Sequence, residues 1–196
     1  MTITLMWCSA GVDLEEFWAL IERSGRESAD PEERTDRLTD ELAAYEPDDI
    51  VDFQLHVDAL RDRVDNHRLW GAAWLVCGGV CDEDGFWYFQ AWLIGQGRDV
   101  YEAVAADPDA LADVPAVREL AGRDSEDWDE AEWPGWESLD DVAEDAYEEA
   151  TDGDLERVLL ERGHDFRLAP QPTDASWDFE DDEEMERRYP RLTKIF

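Results

Sequence analysis

Two consecutive apolar segments near the middle of the chain constrain its fold more than any other feature. "LWGAAWLVC" (69–77) and "GFWYFQAWLIG" (85–95) have almost no polar face, and "GGVCDED" separates them. A helix that is apolar on nearly all sides must be buried, and glycines after an apolar run typically end a helix. The pattern therefore predicts a central helical hairpin over residues 69–104. We expect its core to contain Trp70, Trp74, Phe86, Phe89, Trp92 and Leu93.

Amphipathic helices are predicted on both sides of this hairpin. In 13–24, 31–45 and 48–65, apolar residues recur at intervals of three and four positions, which is typical of a helix with one buried face. A similar stripe in 138–150 is expected to close the core. No segment alternates apolar and polar residues over a strand length, so the chain is predicted to be all-α.

The predicted helices begin at residues that stabilise helix N-termini. Asp13 with Glu16 forms a capping-box pattern, and Asp30 is followed by a proline at the first helical position. Asp82 or Asp84 is expected to cap the second helix of the hairpin. These features locate helix starts from the sequence alone.

The length of 196 residues fits a single compact multi-helix domain with an acidic loop and a C-terminal tail. We divide the chain into a leader (1–12), a helical domain (13–150) and a final region (151–196). The final region is predicted to contain a short helix, an acidic linker and a terminal helix.

The charge balance limits the partners of this protein. The chain has 53 acidic residues against 17 basic ones, a formal net charge of −36, and Lys194 is its only lysine. Such a surface repels the phosphates of nucleic acids and anionic lipids, so we expect no direct binding of nucleic acid or membrane. A basic protein is the favoured kind of partner.

The compartment is predicted from the cysteines and the N-terminus. The chain has an odd number of cysteines, namely Cys8, Cys77 and Cys81. The first residues lack the basic and long apolar parts of a signal peptide. No apolar run is long enough to cross a bilayer. We expect a cytoplasmic protein with free thiols and no cofactor.

Several segments resemble a known family. They are "LEEFWALIE", "GGVCDEDGFWYFQAWLIGQGR", "AEDAYEEATDGD" and "WDFEDDEEMERRYPRL". Together they are similar to domain of unknown function 4240, a group of small bacterial proteins common in actinobacteria, over roughly residues 13–150. The resemblance implies a helical fold and a bacterial cytoplasmic protein. It implies no activity and no catalytic residue.

The hairpin turn offers two candidates for metal chemistry. Cys77 and Cys81 are spaced C-x₃-C without a second pair of ligands, so small buried side chains are favoured over a zinc site. The acids at 82–84 could hold a divalent cation through oxygen atoms, but capping of the next helix is favoured. No metal is therefore predicted.

The candidate ligand or partner site consists of residues in and around this hairpin: His67, Trp70, Asp82, Asp84, Tyr88 and Arg98. Arg98 could bind an anionic ligand, although a structural ion pair with Asp82 or Asp84 is favoured. His56 stands one position before the apolar stripe and is expected to face outward.

Three tryptophans at positions 128, 133 and 136 stand among acids. They could form an exposed recognition patch, or they could fold back as a lid on the domain. The lid is favoured because three exposed indole rings would promote aggregation.

Three functions remain open, and no nucleophile, phosphate-loop or dinucleotide motif points to an enzyme. The first is a non-enzymatic protein-interaction or regulatory module with an acidic surface. The second is a nucleic-acid mimic in which the carboxylates of 124–156 and 174–186 imitate phosphates. The third is a small ligand-binding domain or enzyme with a pocket near Asp82, Asp84 and Arg98.

Overall fold

The computed structural model describes residues 12–165, 167 and 169–196, and it confirms the all-α prediction. No strand occurs within these residues. They form ten α-helices: α1 (Leu14–Glu27), α2 (Pro31–Leu42), α3 (Pro47–Val64), α4 (His67–Val76), α5 (Glu83–Gly95), α6 (Arg98–Ala106), α7 (Pro115–Leu120), α8 (Leu139–Thr151), α9 (Leu155–Glu161) and α10 (Asp182–Arg188). Short 3₁₀ helices span Pro108–Asp113, Ser125–Asp127, Glu130–Glu132 and Leu192–Lys194.

Helix α5 is the centre of the domain and contacts α1, α3, α4 and α6. The predicted hairpin corresponds to α4 and α5, with α6 as its continuation. Helix α8 packs against α2 and α3 and closes the core. Of its predicted stripe, Leu139, Val142, Ala143 and Ala146 are completely buried, whereas Tyr147 is half-buried and Ala150 is exposed near the end of the helix.

The six residues predicted for the hairpin core differ in how deeply they are buried. Phe86, Phe89 and Leu93 are inaccessible, whereas Trp70, Trp74 and Trp92 are only half-buried. These three tryptophans pack against the predicted core from its edge. The indole Nε1 of Trp70 donates to the carbonyl oxygen of Cys81 at 2.9 Å, so the polar group of this ring has a partner within the protein.

The helix starts are confirmed in detail. Asp13 accepts hydrogen bonds from two first-turn amides of α1, and Asp30 accepts one from the first turn of α2. Of the two candidates for α5, Asp82 is the cap. Helix α4 ends at the glycine pair, where the amide of Gly79 donates to the carbonyl of Trp74 at 2.8 Å.

The predicted leader lies outside the described residues except for its last position. Val12 is exposed over only 1% of its surface and belongs to the core. Its carbonyl oxygen is hydrogen-bonded to Nε2 of His56 at 2.9 Å. The ring of His56 also lies 5.6 Å from that of Phe17. The expectation that His56 faces outward was wrong, because a chain segment before α1 covers this part of α3.

The segment predicted as an acidic linker is docked on the domain. The rings of Trp177 and Phe179 are half-buried and pack against the core. The hydroxyl of Tyr189 donates to the carbonyl oxygen of Arg68 in α4 at 2.6 Å. Further along, Asp109 accepts a hydrogen bond from the amide of Leu192 at 2.9 Å. The C-terminal tail is therefore part of the folded unit.

Candidate ligand-binding cleft

A cleft of 570 Å³ lies between α1, the start of α2, the C-terminal end of α5 and the segment 131–136. Its lining includes the buried guanidinium group of Arg34, the exposed Arg26 at the rim, and three indole rings, from Trp92, Trp133 and Trp136. Small-molecule sites typically have volumes of about 300–1,000 Å³ and place a few polar groups among aromatic and apolar side chains. This cavity, here named the Arg34 cleft, has that composition.

Arg34 is buried in the wall of the cleft and is exposed over 9% of its surface. Its Nε donates to the hydroxyl of Ser24 at 3.3 Å, and its Nη2 donates to the carbonyl oxygens of Ile21 at 3.4 Å and Gly95 at 3.0 Å. All three acceptors are uncharged. Within the described part of the chain, Arg34 has no carboxylate at ion-pair distance and its Nη1 makes no hydrogen bond.

The guanidinium group keeps its charge in this position. Burial lowers the pKa of Arg34 from 12.5 to about 10, so the side chain remains protonated at neutral pH. Its central carbon lies 4.2 Å from the ring centroid of Trp136, and this cation–π contact offsets part of the desolvation. A buried charge without a counter-charge is unfavourable.

Local sequence explains why an arginine occupies this place. Leu38 and Leu42 form the buried stripe of α2, and position 34 is one turn before Leu38 on the same face. On the opposite wall, a Cβ atom at Gly95 would lie 2.8 Å from the Trp136 ring and 3.2 Å from Nη1 of Arg34. Glycine at position 95 lets both groups lie directly against the end of α5.

Trp136 is fixed by polar contacts at both its backbone and its ring. Its amide donates to the carbonyl of Tyr88 at 3.1 Å, and its Nε1 donates to the hydroxyl of Thr35 at 2.9 Å. Trp128 is also buried, and its ring meets that of Trp133 edge-on at 5.0 Å. The predicted tryptophan lid is confirmed, since the acidic segment folds back onto the domain.

An ion pair holds the same segment from outside. Arg123 donates to both carboxylate oxygens of Glu132, at 2.5 and 2.8 Å. Hydrogen bonds from Arg123 and from the amide of Asp129 lower the pKa of Glu132 to about 2. Glu132 lines the cleft, but it is already paired with Arg123. It is therefore not a counter-charge for Arg34.

Sequence comparison assigns the domain to a family. A family model described as "Protein of unknown function (DUF4240)" matches residues 12–149. The chain belongs to the DUF4240 family. The match contains every element that lines the Arg34 cleft, whereas the docked C-terminal tail lies beyond it. No curated protein and no solved structure shows a significant match to the chain.

In this DUF4240 domain, two of the predicted site residues lie side by side at the start of α4. The rings of His67 and Trp70 are stacked at 6.1 Å, and Nδ1 of His67 is hydrogen-bonded to Asp174 at 2.8 Å. Trp70 also stacks on Phe86 at 4.8 Å. Between them, these two residues therefore contact the core and the tail.

The predicted acids stand at the start of α5. Asp82 accepts the amide hydrogen of Gly85 at 2.9 Å, which is the capping role favoured from the sequence. Asp84 is exposed in the first turn of the helix. Within the described residues, no group of three or more His, Cys, Asp or Glu side chains is arranged to hold a metal ion.

Arg98 lies at the other end of α5. The 13 residues of α5 span roughly 20 Å at about 1.5 Å per residue, so Arg98 cannot pair with Asp82 or Asp84. It pairs instead with Glu15 of α1 at 2.5 Å. The expected ion pair exists, but the expected partners were wrong.

Tyr88, another predicted site residue, lines a second cleft. Its hydroxyl donates to Glu137 at 2.9 Å, and this hydrogen bond raises the pKa of Tyr88 to about 12. The cleft beside it has a volume of 450 Å³ and shares Trp133 and Trp136 with the Arg34 cleft. The tryptophan lid thus forms a wall between two cavities of the DUF4240 domain.

Arg34 was missed by the sequence analysis, although a signal was present. A charged residue in register with the apolar stripe of an amphipathic helix is directed toward the core. The same signal marks Arg61 in α3, four positions after Val57. Arg61 is exposed over 2% of its surface and pairs with Asp140 at 2.5 Å.

Two further findings concern the predicted compartment and thiols. Among the described helices, none is long and apolar enough to span a membrane. Cys77 and Cys81 are free and buried, as favoured from the sequence.

Proposed function

We propose that this domain binds a small molecule in the Arg34 cleft through a carboxylate or phosphate group of the ligand. The observation that carries this proposal is the buried guanidinium of Arg34. It is protonated, it hydrogen-bonds only to neutral oxygens, and its Nη1 has no partner within the described residues. An anion at Nη1 would supply the missing counter-charge.

The surroundings of other arginines support this interpretation. With 53 acids and 17 bases, carboxylates are abundant over this protein. Exposed arginines accordingly pair with acids at 2.5 to 2.9 Å: Arg23 with Glu41, Arg37 with Glu27, Arg63 with Glu102, and Arg157 with Glu161. Arg61, which is also buried, pairs with Asp140, whereas Arg34 is buried without a described carboxylate at ion-pair distance.

The expected contribution is sufficient for measurable binding. A hydrogen bond to a charged group contributes about 1.5–3 kcal/mol, and Nη1 has two N–H donors. The indole rings of Trp92 and Trp133 add apolar contact area for the rest of the ligand. Their position also makes intrinsic fluorescence a suitable signal for binding.

A direct test compares anions on three proteins by calorimetry and tryptophan fluorescence. The probes are inorganic phosphate, acetate and benzoate, and sodium chloride at equal ionic strength is the reference. The proteins are the wild type, Arg34→Met, and Arg37→Met as a matched control. Arg37 is an exposed arginine of the same helix and is paired with Glu27, so its loss changes net charge equally without affecting the cleft.

We expect at least one anion to bind the wild type and Arg37→Met, and to bind Arg34→Met about tenfold more weakly or not at all. Equal binding to Arg34→Met would overturn the proposal. So would the absence of binding to a correctly folded wild-type protein by these anions and by carboxylate-bearing zwitterions such as the amino acids.

A second candidate function is an interaction with a basic protein through α8. Asp141 and Glu144 are exposed on this helix, and partial burial together with neighbouring acids raises the pKa of both. The stretch 124–156 contains 16 acids and no Lys or Arg. A basic partner would relieve the repulsion among these carboxylates.

An arginine-rich octapeptide titrated into the protein at 0.15 M salt tests this second candidate. Asp145→Asn/Glu148→Gln on α8 should weaken binding more than Asp36→Asn/Asp40→Asn on α2, which removes the same charge elsewhere. Equal effects would show attraction by net charge alone. The nucleic-acid mimic stays a prediction that rests on the same acids, although Glu132 and Asp140 are engaged by Arg123 and Arg61.

A further inference from the structure

We infer that the ligand of the Arg34 cleft is a small zwitterion, with a carboxylate that contacts Arg34 and an ammonium group that faces the acids of the rim. A free α-amino acid or a betaine has this chemistry. The inference rests on the proposed function and specifies the class of ligand.

The lining carries carboxylates as well as the buried Arg34 and the exposed Arg26. Glu22 and Glu119 both border the cleft. Glu22 has weak partners only: its Oε1 accepts the amide hydrogen of Arg98 at 3.3 Å, and Arg26 stands 4.0 Å from its Oε2. Glu119 is exposed and has no ion pair within the described residues. A ligand with only negative charge would be repelled by both.

A cationic group on the ligand would also find aromatic faces. Trp92 and Trp133 line the same cavity and are half-buried, so their rings are partly accessible from it. Ammonium groups, and quaternary ammonium groups in particular, are attracted to indole faces. The cleft thus offers arginine to an anionic group, and both carboxylates and aromatic faces to a cationic group.

The charge of the whole protein favours the same class. A net charge of −36 repels a free anion during its approach. A zwitterion has no net charge and avoids this repulsion, while its carboxylate can still pair with the guanidinium of Arg34. The volume of 570 Å³ leaves room for an amino acid or a larger zwitterion.

The experiment uses the twenty L-amino acids and glycine betaine as probes, first by thermal shift and then by calorimetry. For an amino acid that binds, its N-acetyl derivative keeps the carboxylate without the cation, and its α-amide keeps the cation without the carboxylate. Two variants, Glu22→Gln and Glu119→Gln, remove one rim charge each. Glu33→Gln on α2 is the control, because it removes one charge outside the cleft.

We expect a zwitterion to bind the wild type about tenfold or more tightly than its N-acetyl or amide derivative. The rim variants should weaken the zwitterion severalfold and leave benzoate unchanged or slightly tighter, whereas Glu33→Gln should change neither. Because the Glu22→Gln substitution retains an oxygen acceptor for the amide of Arg98, its effect on binding is expected without unfolding.

Two outcomes separate this inference from the proposed function. If simple anions or the N-acetyl derivative bind through Arg34 as tightly as any zwitterion, the zwitterion inference fails and the anion site stands. If neither zwitterions nor anions bind the folded protein, both fail together.

Discussion

The hydroxyl group of Tyr189 lies beside Gly71 in the space where any other residue would place its side chain. A Cβ atom at position 71 would be 2.7 Å from that hydroxyl and 2.8 Å from the ring of Trp177. The hydroxyl is itself held by the carbonyl of Arg68. Glycine in the middle of α4 therefore lets the C-terminal tail contact the helix backbone.

We expect Gly71→Ala to destabilise the protein and loosen the tail. Overpacking typically lowers the free energy of unfolding by about 1–3 kcal/mol. The better helix propensity of alanine offsets at most about 1 kcal/mol of this loss. Urea unfolding gives the stability, and hydrogen exchange in 177–192 reports the tail. Gly135→Ala is the control, because its Cβ would meet its nearest neighbour, in Tyr88, at 3.5 Å. Unchanged stability and exchange would contradict this prediction.

The ion pair of Arg61 and Asp140 joins a fully buried arginine to a half-buried acid. The effects of the two side chains on the free energy of unfolding should therefore be strongly coupled. Arg61 also lies over the ring of Trp87 at 4.0 Å, and Trp87 donates to Asp140 at 2.8 Å. We expect Asp140→Asn to cost about 2–4 kcal/mol, because it leaves a buried charge unpaired and Asn can still accept from Trp87.

Arg61→Met should cost less than Asp140→Asn, and the double variant should be more stable than the sum of both losses predicts. Urea unfolding of the four proteins completes this double-mutant cycle. Additive losses would show that the two charges do not stabilise one another in the folded protein.

Carboxylates of α8 should oppose folding at neutral pH. Burial and nearby acids raise the pKa of Asp141 and Glu144 above 3.8 and 4.5 respectively. A pKa that is higher in the folded state means that folding favours the protonated form. Their unfavourable contribution is therefore present at pH 7 and disappears as the pH falls through the raised values.

Accordingly, Asp141→Asn and Glu144→Gln should raise the melting temperature at pH 7. Glu132→Gln removes the same charge and should lower it, because the pKa of Glu132 is depressed to about 2 by Arg123. The contribution of Glu132 is lost as the pH falls between about 4.5 and 2. The same sign for all three variants would show that net charge outweighs these local environments.

Added salt should stabilise the protein. The net charge of −36 opposes compaction, and the Debye length falls from about 30 Å at 0.01 M to about 3 Å at 1 M. Exposed ion pairs such as that of Arg63 and Glu102 lose strength at the same time, but each contributes only about 0–1 kcal/mol. Calorimetric melting from 10 mM to 1 M NaCl should show a rise. A flat or falling melting temperature would mean that the pairs dominate.

The thiol of Cys77 should be unreactive in the folded protein. Its hydrogen bond with Cys81, followed by burial, raises its pKa well above 9.0. Since the thiolate is the nucleophile, iodoacetamide at pH 8 should modify Cys77 only after unfolding in urea. Mass mapping of the modified peptides measures this. Complete modification of the native protein within minutes would contradict the prediction.

Much of the secondary structure could be predicted because its causes are local. The caps at Asp13, Asp30 and Asp82 act on amides within three residues, and the stripe of α8 depends on spacings of three and four. The tryptophan lid was favoured from composition alone, because exposed indole rings beside acids are unfavourable. These interactions involve residues that are close to one another along the chain, so they can be read from the sequence.

The sequence by itself therefore determined that the chain is all-α, where several of its helices begin, and that its net charge is strongly negative. Only the tertiary structure decided which charges meet. Arg98 pairs with Glu15, 83 positions away, and Trp136 donates to Thr35, 101 positions away. The Arg34 cleft likewise exists because α1, α2, α5 and the tryptophan lid surround one arginine. The physical reason is distance along the chain: caps and stripes depend on residues within one helical turn, whereas ion pairs and cavities depend on how whole helices pack.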